Sequence, residues 1–211
     1  MRGVIFDLDG TLIDSSNGWK TLGSSYLLYK GINPVNNVDK ILKDMSLEEG
    51  VVYIKEHYNI IGDVKSIIED INIFMESKYT SEFELKSGVY NYITYLKSQG
   101  IKISLATMTT RKLAKMVLDR HGILDKFDVI NTCSEVGYSK KHPNVYLKCV
   151  SDMDLNIKDV VVFEDSLLCI KTAKKAGFYV VGVSDIDMDT QDEIKSISDR
   201  YIVSFDEMIN N

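Results

Sequence analysis

From about residue 86 onward, short β-branched or aromatic runs alternate with amphipathic helical stretches, and this alternation constrains the fold more than any other feature of the chain. Ile101–Ala106, Phe127–Ile130, Val160–Phe163 and Phe178–Val183 have the look of buried parallel strands, and a further run, Gly3–Phe6, opens the chain. Between them, Val89, Tyr92, Ile93 and Leu96 share a helical face that stops at Gly100. Leu113, Met116 and Val117 precede Gly122, and Leu167, Ile170, Ala173 and Ala176 precede Gly177. Val145, Tyr146, Cys149 and Val150 follow Pro143, a residue tolerated in a first helical turn. Strand–helix alternation of this kind predicts an α/β protein whose parallel sheet is covered on both faces, doubly wound if the crossovers are right-handed.

Residues 15 to 85 break the pattern and read as helical only. Trp19, Leu22, Tyr26 and Leu27 lead to Gly31, and Val38, Ile41 and Leu42 make a short second helix. Ser46 with Glu49 is a capping-box pattern, after which Leu47, Val51, Ile54 and Tyr58 share a face. Asp63 can cap a fourth helix with the face Val64, Ile67, Ile68, Ile71, Phe74 and Met75. The expected organisation is an α/β core made of residues 1–14 and 86–211, with a small four-helix bundle of residues 15–85 inserted after the first strand.

Composition removes several function classes. At 211 residues, 45 % hydrophobic and 27 % charged, the chain is neither disordered nor fibrous. A net charge of −6, with no basic block, argues against a general nucleic-acid binder. No apolar run approaches the roughly 18 residues of a membrane span, and Asp7 breaks any signal-peptide core. Cys133, Cys149 and Cys169 form neither a disulfide framework nor a zinc pattern and suit a reducing cytoplasm. The expectation is a cytoplasmic protein, monomeric by default, with neither a nucleic acid nor a membrane as partner.

Four places carry chemistry. Asp7-Leu8-Asp9-Gly10-Thr11-Leu12 directly follows the first strand. Two carboxylates so close to a buried strand repel each other and are costly to desolvate, a cost that a hard cation such as Mg²⁺ offsets. Gly10 lets the backbone approach a bound group. Thr107 ends the second strand run near a helix start, where a hydroxyl and backbone N–H groups can hold a phosphate, although Thr109 or Thr110 could equally be an ordinary N-cap. Lys140-Lys141-His142-Pro143 opens a helix, where a lysine opposes the macrodipole unless it faces an anion; alone, it reads as a solvated surface pair. Phe163-Glu164-Asp165-Ser166 puts two more acids at a strand end, with Asp165 or Ser166 available as a cap. Each lies at or just beyond the C-terminal end of an expected parallel strand, the edge at which open α/β sheets bind ligands, so together they point to a site for Mg²⁺ and phosphate.

In order, Asp7-Leu8-Asp9-Gly10-Thr11-Leu12-Ile13-Asp14-Ser15, Thr107, Lys140 three residues before Pro143, and Phe163-Glu164-Asp165-Ser166 resemble the four motifs of the haloacid dehalogenase superfamily over nearly the whole chain. The likeness is to the branch with a helical cap inserted after the first motif, which holds small-metabolite phosphatases and β-phosphoglucomutases. It implies a Rossmann-like core and a Mg²⁺-dependent phosphatase acting on a small phosphorylated metabolite through an aspartyl-phosphate. By the same resemblance Asp7 is the nucleophile and Asp9 the general acid and base. Gly10, Thr107, Met108 and Lys140 bind phosphate, with backbone N–H groups serving at Gly10 and Met108. Mg²⁺ is held by Asp7, Asp165, the Asp9 carbonyl and Glu164, the last directly or through water. Lys141 stands where the family usually has a proline, which leaves Lys140 or Lys141 to reach the phosphate; alignment on Pro143 favours Lys140.

Three alternatives are weighed. A dehalogenase does not need a second acid at Asp9. A phosphohexomutase resembles this chain in the core but carries a cap His and a cap Arg, where Trp19 and Leu47 stand here. A non-catalytic binding domain on the same fold would be marked by loss of Asp7 or Asp9, and both are present.

Overall fold

The structure is a computed structural model that describes residues 1–43, 45–186 and 188–209. It divides into two compact units, one of residues 1–15 and 83–211 and one of residues 16–82.

The first unit is built on a six-stranded sheet in the order β3-β2-β1-β4-β5-β6. Its strands are β1 (Gly3–Phe6), β2 (Lys102–Thr107), β3 (Val129–Thr132), β4 (Val160–Glu164), β5 (Tyr179–Val183) and β6 (Arg200–Ile202). Every pairing is parallel. The helices are α6 (Val89–Ser98), α7 (Arg111–Arg120), α8 (Cys133–Val136), α9 (Asn144–Asp152), α10 (Leu167–Lys175) and α11 (Met188–Ile197), with α1 to α5 in the second unit. Side chains alternate across the sheet, as the two-residue period of a strand requires. Ile5 and Val162 join a core with Tyr146 and Cys149 of α9, Ile170 and Ala173 of α10, and Ile194 of α11. Phe6 and Phe163 enter an aromatic cluster with Tyr92 of α6 and Phe205, their own ring centroids 4.8 Å apart. Both faces are therefore covered, and the continuous apolar runs of β1 and β4 are what a strand buried on two sides needs.

Some expectations shift. The run at Phe127–Ile130 forms its strand two residues later, at Val129–Thr132, because Leu124–Lys126 make a tight 3-10 turn and the Asp128 carboxylate accepts from the Ile103 N–H and Lys97. β6, α8 and α11 are elements that the sequence reading lacks. Phe83–Leu85 go with the sheet unit: Ile13 bridges to Leu85, the Asp14 N–H donates to the Glu84 carbonyl, and Arg120 donates to the Phe83 carbonyl.

The second unit contains α1 (Ser16–Lys20), α2 (Leu22–Tyr29), α3 (Val38–Leu42), α4 (Leu47–Tyr58) and α5 (Val64–Ser81). One expected helix is thus two: α1 contains Gly18, a weak helix former, and α2 starts anew after Thr21, whose hydroxyl bonds back to the Asn17 carbonyl. Ser46 and Glu49 make the full capping box of α4, and the Asp63 carboxylate accepts from the Ser66 N–H at the start of α5. Val51, Ile54, Ile67, Ile71, Phe74 and Met75 are buried. Tyr26 donates to Asp70 at 2.8 Å, Ser24 holds Asp39, and the Trp19 indole N–H donates to the Tyr79 hydroxyl at 3.1 Å. Among the described residues, no helix is long and apolar enough to cross a membrane.

Candidate active site

Strand order decides where the site forms. β1 lies between β2 and β4, and the chain leaves β1 toward β2 and β3 on one side before it crosses to β4 on the other. The crevice beyond the carboxyl ends of β1 and β4 is therefore a topological switch point. Phe6 pairs with Phe163 in register, and the Asp7 N–H donates to the Phe163 carbonyl at 3.0 Å, which sets Asp7 beside Glu164. After Asp7 the backbone folds on itself: Leu12 and Ile13 N–H both donate to the Leu8 carbonyl, and Gly10 N–H to the Ile13 carbonyl. Gly10 has φ +83°, a conformation that a side chain disfavours. Leu8 and Leu12 are fully buried and anchor this turn, with the two acids on either side of Leu8.

Four of the expected residues meet here. Lys140, only 3 % exposed, reaches the site from the segment ahead of α9; its Nζ donates to Asp7 Oδ1 and, at 2.6 Å, to Glu164 Oε1. Lys141 is exposed, so of the two lysines it is Lys140 that the fold brings in. Glu164 is 1 % exposed. Asp165 accepts from the Thr11 hydroxyl at 2.7 Å. One carboxylate oxygen from each of Asp7, Glu164 and Asp165 lies within 4.8 Å of the others. The Asp9 carboxylate is outside that group; the Ser15 hydroxyl donates to its Oδ1 at 2.8 Å and the Thr109 hydroxyl to its Oδ2 at 2.5 Å. Thr107 is fully buried at the end of β2, and its hydroxyl accepts from the Thr109 N–H at 3.0 Å. Met108, between them, turns its side chain to solvent.

The electrostatics follow from this crowding. Burial pushes the Asp7 carboxyl well above the usual carboxylate range; the Lys140 ammonium works against that, while Glu164, Asp165 and Asp9 add to it. Burial likewise disfavours charged Lys140, but Asp7 and Glu164 outweigh it and hold the ammonium well above its ordinary value. Asp165 is pushed up to about 7, first by burial and then by Glu164, with the Thr11 hydroxyl opposing. Three carboxylates thus face one ammonium, an excess of negative charge that a divalent cation offsets. Glu164 supplies a direct sign of fit: its Oε2 is buried without a hydrogen-bond partner. A buried acceptor left without a donor costs about 1–3 kcal/mol, more when charged, and metal coordination would remove that cost. All-oxygen ligands suit Mg²⁺.

Sequence reasoning passed over Thr109, Ser15, Thr11 and Tyr146. Thr109 reads as a helix cap and Tyr146 as part of an apolar face. Yet the Tyr146 hydroxyl is buried, and a buried tyrosine needs an acceptor, which here is Glu164 Oε1 at 2.8 Å. That rule could have raised Tyr146 as a candidate, but it could not have named its partner.

The chain is similar to known proteins over most of its length. A family model for haloacid dehalogenase-like hydrolases matches residues 4–183. The chain is 26 % identical over 181 residues to a phosphorylated carbohydrates phosphatase of Thermotoga maritima, covering 84 % of this chain and 82 % of that one. It is 27 % identical over 192 residues to the β-phosphoglucomutase of Bacillus subtilis, covering 87 % and 83 %. Its fold superimposes with a TM-score of 0.87, at 24 % identity, on the crystal structure of a Thermotoga maritima protein provisionally described as a β-phosphoglucomutase, covering 100 % of this chain and 97 % of the other.

Proposed function

Given that the chain belongs to the haloacid dehalogenase-like hydrolases, we propose that it is a Mg²⁺-dependent phosphatase that hydrolyses a small phosphorylated metabolite through an aspartyl-phosphate on Asp7. The observation that carries this reading is the convergence of Asp7, Glu164, Asp165 and Lys140 on one buried site at the switch point of the sheet.

The proposed steps are those that the family resemblance implies. An Asp7 carboxylate oxygen attacks phosphorus as the ester oxygen departs, which gives an acyl phosphate. Asp9 donates a proton to the departing oxygen, then takes one from the water that attacks the acyl phosphate, releasing inorganic phosphate and restoring Asp7. The hydroxyls of Ser15 and Thr109, one on each oxygen of Asp9, hold that carboxylate in a fixed orientation for both transfers. The Thr107 hydroxyl, the Met108 N–H and the Lys140 ammonium bind the phosphoryl oxygens, while the Gly10 N–H, which the resemblance also implies there, is taken by the Ile13 carbonyl. Asp7, Asp165, Glu164 and the Asp9 carbonyl would hold Mg²⁺, which supplies charge neutralisation between the anionic nucleophile and the anionic substrate. The overall negative charge favours a small substrate over a polyanion.

The test is hydrolysis of a general aryl phosphate with and without Mg²⁺, followed by a screen of sugar phosphates, phosphoglycolate and nucleotides. Release of phosphate only with Mg²⁺ is expected. Conversion of β-glucose 1-phosphate to its isomer without phosphate release would instead identify a mutase.

A further inference from the structure

Within α9, Tyr146 joins the apolar core, yet its hydroxyl touches the acid cluster. The ring packs beside Phe178 with centroids 6.1 Å apart, and the whole side chain is fully buried. Its hydroxyl donates to Glu164 Oε1 at 2.8 Å, and Lys140 Nζ donates to the same oxygen at 2.6 Å. Two donors occupy both lone pairs of Oε1. The other oxygen, Oε2, is buried without a partner. A carboxylate pinned at one oxygen by two donors cannot rotate without breaking both bonds. The two donors are not equivalent. Lys140 is a flexible chain shared with Asp7, whereas Tyr146 is a rigid ring fixed by the core.

We propose that Tyr146 is a positioning residue whose hydroxyl fixes the Glu164 carboxylate so that Oε2 faces the divalent cation held with Asp7 and Asp165. The inference rests on reading that cluster as the Mg²⁺ site. A hydrogen-bond partner behind a metal ligand typically contributes roughly 10- to 100-fold in metal affinity. Tyr146→Phe removes only the hydroxyl and leaves the ring in the core.

The experiment is calorimetric titration of the full chain with MgCl₂, without substrate, for the wild type, Tyr146→Phe, Glu164→Gln and the double variant. Tyr146→Phe is expected to bind Mg²⁺ roughly tenfold or more weakly. The double variant should bind no more weakly than Glu164→Gln alone, since the hydroxyl acts through that carboxylate. In turnover, the Mg²⁺ concentration for half-maximal rate should rise while kcat at saturating Mg²⁺ changes little; a general packing defect would lower kcat at every Mg²⁺ concentration. If the wild type binds Mg²⁺ and Glu164→Gln weakens it, but Tyr146→Phe binds as the wild type does, the role of Tyr146 is overturned and the metal site stands. If the wild type shows no Mg²⁺ binding, the reading of the cluster falls and this inference with it.

Discussion

The sheet unit and the helical unit treat buried polarity in opposite ways. With tyrosine counted as apolar, the buried polar and charged side chains among the described residues are Asp7, Thr11, Ser15, Ser104, Thr107, Thr109, Asn131, Thr132, Lys140, Glu164 and Gln191, all in residues 1–15 and 83–211. Among the described residues of 16–82 the buried side chains are apolar or tyrosine, the buried Tyr26 and Tyr79 hydroxyls are bonded to Asp70 and Trp19, and the charged pair of Lys30 with Asp70 sits where water reaches it. Burying a charge is costly unless partners or a metal compensate it. The sheet unit carries that cost at one rim, and the helical unit is built as an ordinary small bundle. Chemistry is concentrated where the polar residues are least favourable for folding.

The comparison can be broken by activity first. Asp7→Asn should leave the fold intact by circular dichroism and lower turnover of an aryl phosphate by on the order of 10⁴-fold or more, as loss of a nucleophile does. Unchanged turnover in that variant would remove Asp7 from the reaction. Asp9→Asn should cost about 10²–10⁴-fold in both formation and breakdown of the intermediate, measurable by single-turnover kinetics. A wild-type rate would refute its acid–base role.

Stability sharpens the contrast further. Phe163→Ala empties a place in the aromatic cluster and should cost about 3–5 kcal/mol in denaturant unfolding. Tyr26→Phe, which removes the hydroxyl bonded to Asp70 in the helical unit, should cost about 1 kcal/mol. A larger loss for Tyr26→Phe than for Phe163→Ala would mean that the helical unit, not the sheet, dominates global unfolding.

The smallest effect is one of pH. Arg111 holds the Glu135 carboxyl down at about 2, below its ordinary 4.5. Because the folded value is the lower one, the stabilisation is complete above pH 4.5 and is lost as pH falls through about 2. Glu135 is 43 % exposed, so solvent screening limits the contribution to about 1 kcal/mol or less. Glu135→Gln should therefore lower stability slightly at neutral pH and by much less at pH 2, where the contribution is mostly lost, which parallel urea titrations at the two pH values would resolve.

Much of this was legible in residues 1 to 211 taken in order. Gly3–Phe6 reads as a buried strand and is one, because four consecutive apolar or small residues suit a two-faced burial. Ser46 with Glu49 reads as a capping box and forms one, because that interaction spans only three residues. Arg200–Ile202 was not legible as β6: its run is three residues long, too short for a period to emerge, and its pairing is supplied by β5. The break between α1 and α2 was also hidden, since a continuous apolar spacing runs through it.

The sequence by itself determined most of the elements, though not β6, α8, α11 or the break between α1 and α2, and, through the rule that parallel strands end together, the rim on which Asp7, Thr107 and Glu164 would gather; these follow from local periodicity. Only the tertiary structure decided that β1 would lie against β4, that Lys140 and not Lys141 would enter the site, and that Tyr146, Thr109 and Ser15 would hold the acids by hydrogen bonds. Lys140 stands 133 positions from Asp7. A contact of that span leaves no mark in local spacing, because it is fixed by the order in which the strands pair and by the packing of α9 on the sheet.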